Sequence, residues 1–119
     1  IASNVIPAHG FSASYNLPFS DLIALGANFT HLVCSINIRA EDVEEIELVL
    51  IAEEGGENQL WNSSKGASFE PLQDNWWRAV KHQEYALDKL SEAVLRVYVW
   101  NRGGDAIFVD DFEIEVFQQ

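Results

Sequence analysis

The sequence predicts an all-β fold, an antiparallel β-sandwich, and three observations carry that expectation. Short stretches of alternating or doubly apolar residues recur along the chain, turn residues separate them, and sustained helical spacing is nearly absent. With 119 residues, 48% hydrophobic and 22% charged, the chain reads as one folded domain, residues 1–119. That length supports a core without metal or disulfide staples.

Each element has its own local signal. Residues 11–17 are expected to form a first strand, stopped by Pro18. Over residues 29–38, Leu32, Cys34, Ile36 and Ile38 share one phase and His31, Ser35 and Asn37 the other, the pattern of a strand covered on one side. Residues 41–45 make an acidic connector, and residues 46–52, apolar on both phases, a central strand covered on both faces. Gly55 and Gly56 place a turn within residues 53–58, and the return strand begins over residues 59–62. Residues 63–74, with Gly66 and Pro71, read as a long irregular connection. Residues 75–83 are extended again; Trp76 and Trp77 must then face opposite sides. The spacing of Ala86, Leu87, Leu90 and Ala93 fits a short helix or a loop within residues 85–93. A strand over residues 95–100, a glycine turn over 101–105 and a last strand over 107–117 close the chain. Seven or eight strands joined in this way fit a jelly roll.

Nineteen acidic against seven basic residues leave a net charge of −12, which disfavours nucleic acid and anionic membrane surfaces as partners. No run approaches the ~18 apolar residues of a membrane span, and the start of the chain lacks the basic-then-apolar pattern of a signal peptide. Methionine is absent, so Ile1 reads as a processed terminus or the edge of a domain excised from a larger protein. Cys34 stands alone, without disulfide, zinc or redox partner, and its phase makes it a core thiol. Asn28 and Asn62 each open an Asn-x-Ser/Thr triplet. His9, His31 and His82 lie in unrelated contexts, and no nucleophile elbow or phosphate loop is present, so no enzyme is expected.

The run Leu95-Arg96-Val97-Tyr98-Val99-Trp100-Asn101, a glycine turn, and Ile107-Phe108-Val109-Asp110-Asp111-Phe112-Glu113-Ile114 resembles the closing hairpin of galactose-binding-like jelly rolls, the fold of many carbohydrate-binding modules. Leu48-Val49 to Trp61 is similar to their central hairpin, and Trp76 or Trp77 to the tryptophan opening the next strand. The resemblance implies a non-catalytic module that binds poly- or oligosaccharide within a secreted or cell-surface protein. It also implies a structural calcium between the first and last strands, with Asp110 as anchor and Asp111 as co-ligand. One departure bears on that ion: residues 1–17 contain no Asp or Glu.

The residues themselves bear on these expectations. Phe108, Asp110, Phe112, Ile114 and Val116 share a phase, so regular alternation aims Asp110 inward, where it needs a cation or hydrogen-bond donors unless a bulge turns it out. A sugar site needs an aromatic platform flanked by amides and charges. Trp61 beside Asn62, Trp76 near Arg78, and Tyr98 with Trp100 are the candidates; Arg96, Tyr98 and Trp100 share a strand face. The alternative is a protein-interaction or assembly module docking neighbouring domains of the same protein by an acidic face or a sheet edge. The acids at 41, 42, 44, 45, 47, 53, 54 and 57 have no basic partner among them and read as a solvated connector and turn.

Overall fold

The computed structural model describes residues 5–12, 14–24, 26, 29–55 and 57–118. Within them two antiparallel sheets stack face to face. The five-stranded sheet runs β1 (Val5–Ile6), β9 (Ile107–Gln118), β3 (Phe29–Arg39), β7 (Trp76–Ala86), β6 (Glu70–Pro71). The four-stranded sheet runs β2 (Tyr15–Pro18), β8 (Val94–Asn101), β4 (Ile46–Glu54), β5 (Glu57–Lys65). This is the all-β, two-sheet architecture expected.

The inner faces obey the period-2 pattern. Leu32, Cys34, Ile36 and Ile38 of β3 meet Leu48 and Leu50 of β4 and Leu95, Val97 and Val99 of β8 in one buried cluster. Cys34 is wholly buried there, and burial pushes its thiol up to about 12, so it is a packing residue. A six-residue helix, α1 (Phe19–Ala24), buries Phe19 and Leu22, with the Phe19 ring 5.1 Å from that of Tyr85.

Several boundaries differ from the expectation, each for a local reason. The first extended stretch is interrupted: Phe11 makes an isolated bridge to Trp100, Ser12 exchanges bonds with Val99 through its amide and its hydroxyl, and regular pairing starts at Tyr15. The return strand β5 reaches Lys65, because Asn62, Ser63, Ser64 and Lys65 all keep register with β4. A 3-10 turn, Gly66–Ser68, and the short β6 then take the place of a long loop. Gly66 is required there, since a Cβ would overlap the Val43 carbonyl. Asp74 and Asn75 both take positive φ (59° and 64°) in the turn before β7, a conformation Asp and Asn tolerate better than most residues. β7 runs on through Tyr85 and Ala86, so the helix-like spacing resolves to one 3-10 turn, Leu87–Lys89.

The last strand departs most from regular alternation. Ser35 pairs with Glu113 but Asn37 with Asp110, so β9 carries one extra residue, and Asp111 takes φ 54°. This bulge resets the phase. Ile107 and Val109 face inward before it and Ile114 after it, while Asp110 is exposed. The expected inward carboxylate is thereby turned to solvent.

Candidate functional site

The outer face of the four-stranded sheet gathers an aromatic trough. Cross-strand register places Trp61, Ile51, Arg96 and Asn16 in one row, Ser63, Val49 and Tyr98 in the next, and Lys65, Glu47 and Trp100 in a third. Phe11 closes the last row, its ring stacked on Trp100 at 5.6 Å and edge-on to Tyr98 at 5.6 Å. Phe11, Ser14, Ile51, Glu53, Trp61, Arg96 and Tyr98 line a shallow depression of about 300 Å³.

Two residues reveal how this surface is built. Val49 and Ile51 point outward yet are 0% and 4% exposed, and neither belongs to the inter-sheet core. They are the apolar floor beneath Trp61 and Tyr98, which explains why β4 is apolar on both phases. Above that floor Phe11 and Trp61 remain 57% and 47% exposed, so their rings are free to meet a ligand. Arg96 Nη1 lies 3.3 Å from Glu53 Oε1, setting a cation and an anion together at the trough wall. Burial, followed by the Glu53 carboxylate, raises the Tyr98 phenol, which therefore stays protonated and able to donate.

Trp100 is less available than its neighbours: Phe11 covers it and the Arg102 guanidinium sits 5.3 Å from its ring centre. Arg102 also answers part of the acidic cluster. Its Nε lies 3.1 Å from Glu47 and an Nη1 contact of 3.8 Å reaches Glu45, a cation supplied by the distant β8–β9 turn. Glu47, buried at 6%, further accepts from Ser63 Oγ at 3.2 Å.

The remaining sequence candidates separate. Asn62 pairs with Leu50, an inward position, and neighbours the buried Tyr85 phenol, which burial pushes up to about 12. It is therefore a half-buried amide on the inner face, and its Asn-x-Ser triplet lies in a regular strand. The other triplet begins at Asn28, outside the described residues. Trp77 packs against the core and donates Nε1 to the Ala40 carbonyl at 2.9 Å, so Trp76 is the tryptophan on the outer face. Trp76 and Arg78 belong to the five-stranded sheet, opposite Arg39 and Asn37, and Arg78 donates to Ser35 Oγ at 3.2 Å. They lie on the opposite side of the sandwich from Trp61 and Tyr98.

Asp110 Oδ1 accepts the amide of Asp111 at 2.9 Å, and Asp111 Oδ2 accepts from Asn37 Nδ2 at 3.1 Å. Calcium takes six to eight oxygens. Among the described residues no group of three or more acidic, histidine or cysteine side chains gathers to hold a metal, so these two carboxylates make at most part of such a cage.

A larger cleft of about 560 Å³ opens at one end of the sandwich, between Arg39, Asp42, Glu45, Asn75, Asp105 and Phe108. Its wall combines Glu41, Asp42, Glu45 and Asp105 with turn backbone and offers a single ring, Phe108, where the trough has Phe11, Trp61 and Tyr98. Asn101 holds its floor, donating to the Pro7 and Asp105 carbonyls at 3.1 and 2.8 Å and accepting from the Gly103 amide at 3.0 Å.

Phe11, Ile51 and Ser14 escaped the sequence reading of the site. Phe11 reads locally as a strand residue, and only its bridge to Trp100 brings it to the trough. The doubly apolar run of β4 was the available signal for Ile51. No family model, curated protein or solved structure matches this chain.

Proposed function

We propose that this domain is a non-catalytic carbohydrate-binding module that holds a poly- or oligosaccharide against Phe11, Trp61 and Tyr98. The observation that carries the reading is the trough itself: exposed rings over an apolar floor, with a paired cation and anion at its wall. Apolar C–H faces of sugars stack on such rings, and hydroxyls at the sugar edge exchange hydrogen bonds with Arg96, Glu53 and the Tyr98 hydroxyl. A shallow, open surface suits the interior of a glycan chain, and the module would act within a secreted or cell-surface protein.

The jelly-roll, galactose-binding-like reading draws support from strand order. β1-β9-β3-β7 faces β2-β8-β4-β5, so the chain crosses between sheets at nearly every step, as two interleaved Greek keys require.

The test is a glycan array with affinity electrophoresis on plant, algal and microbial polysaccharides. Each stacked ring contributes on the order of 1 kcal/mol, so Trp61→Ala should weaken binding about fivefold. Trp76→Ala, on the opposite face, should leave it unchanged. Blank results on every polysaccharide overturn the reading. Retention that depends on Trp76 instead moves the site to the other sheet.

A further inference from the structure

The outer face of the five-stranded sheet carries a side-chain pair that the trough does not use. His82 Nδ1 lies 3.4 Å from His31 Nε2, with ring centres 5.5 Å apart and planes at 49°. The two histidines are 51 positions apart in sequence. The β3–β7 register joins them: Val33 is opposite His82 and His31 opposite Glu84, which makes the histidines diagonal neighbours on one face.

We propose that His31 and His82 form a two-histidine site for a divalent transition-metal ion of the zinc type. Two imidazole nitrogens on a tetrahedral zinc, each about 2.0–2.1 Å from it, stand about 3.3–3.4 Å apart, which is the separation of the pair. In the metal-free pair the two nitrogens already stand within hydrogen-bonding distance, so an ion needs only a small swing of either ring to meet both. The surroundings favour a cation. Glu84 stands directly across from His31, Glu115 is across from Val33 on β9, and the next outward positions along these strands bring no lysine or arginine before Arg78. The Phe117 ring, 5.9 Å from that of His31, shields one side.

Water completes the coordination, since among the described residues no third histidine, cysteine or carboxylate side chain joins the pair. Two protein nitrogens hold zinc far less tightly than a four-ligand structural site, and a dissociation constant on the order of 10 μM is expected. The ion is therefore exchangeable, and because protons compete with it for the ring nitrogens, binding weakens on acidification.

Isothermal titration of the whole chain with zinc chloride at about pH 7.5 tests the site, with cobalt absorbance as a second readout. One ion per chain is expected. H31Q and H82Q should each weaken binding at least about tenfold, and H9Q should not; acidification should weaken it as well. Both substitutions lie on a solvent-facing surface, and circular dichroism verifies the fold. Zinc binding that survives in the double variant, binding that depends on one histidine alone, or none up to about 1 mM zinc overturns the proposal.

Discussion

The outer faces of the two sheets share one backbone geometry and differ in what stands on it. On the four-stranded sheet, Trp61, Tyr98, Trp100 and Phe11 lean over Val49 and Ile51 and bury them from outside. On the five-stranded sheet, Trp76, Arg78, His31, Asn37, Glu84 and Glu115 stand around Val33, Ser35 and Val80, and among the described residues no buried apolar pair like Val49 and Ile51 forms. The trough is in this sense an unfinished second core. Its rings already exclude water from the floor, yet they keep a face exposed, so a ligand with an apolar face, such as the proposed saccharide, would complete the burial with little further ordering.

The severest challenge to this contrast between faces is Gly66→Ala. The new methyl group would enter the Val43 carbonyl and push the end of β5 off the β3–β4 connection, removing the strand that carries Trp61. A loss of at least about 3 kcal/mol is expected, measured by urea denaturation. A wild-type midpoint would show that the connection yields freely.

Truncating the floor comes next. Ile51→Ala should cost about 2–3 kcal/mol although Ile51 faces away from the inter-sheet core. Val33→Ala, its counterpart on the other outer face, should stay within about 0.5 kcal/mol. Equal costs would erase the distinction between the faces.

The alkaline limb separates core from surface. Burial raises the Cys34 thiol from 9.0 and the Tyr85 phenol from 10.0 to about 12. Both groups ionise more readily in the unfolded chain, so the stability they protect is complete below pH 9 and falls as pH rises from about 9 to 12. Cys34→Ala should flatten the onset of that fall in pH-dependent melting. In the native protein at about pH 8 a thiol reagent should leave Cys34 unlabelled, with full reaction after unfolding.

Calcium is expected to have the smallest effect. With Asp110 occupied by a backbone amide and Asp111 by Asn37, melting curves in calcium and in chelator should coincide. A calcium-dependent rise abolished by Asp110→Asn would instead place an ion at the bulge.

Much of the sandwich was legible from local pattern. The inward sets of β3 and β8, the glycine turn after Asn101 and the buried state of Cys34 each derive from alternation or turn chemistry within about ten residues. The candidate site was legible only in part. Trp61 and Tyr98 have the chemistry of a sugar site and share a surface, whereas Asn62, Trp76 and Arg78 have the same chemistry and lie elsewhere. Adjacency in sequence misled there, because consecutive strand residues point to opposite faces.

Which residues alternate, and which face of each strand is apolar, was therefore decided within the local chain, since both are period-2 properties. Which strands are neighbours was decided only in three dimensions. Tertiary structure made Phe11 the cover of Trp100, supplied Glu47 with a cation from Arg102, and set His31 beside His82. It also placed the bulge at Asp111 that turned Asp110 outward, through pairing with a strand 74 positions away. Non-local pairing is chosen by how whole strands fit together, and no short window of residues contains that choice.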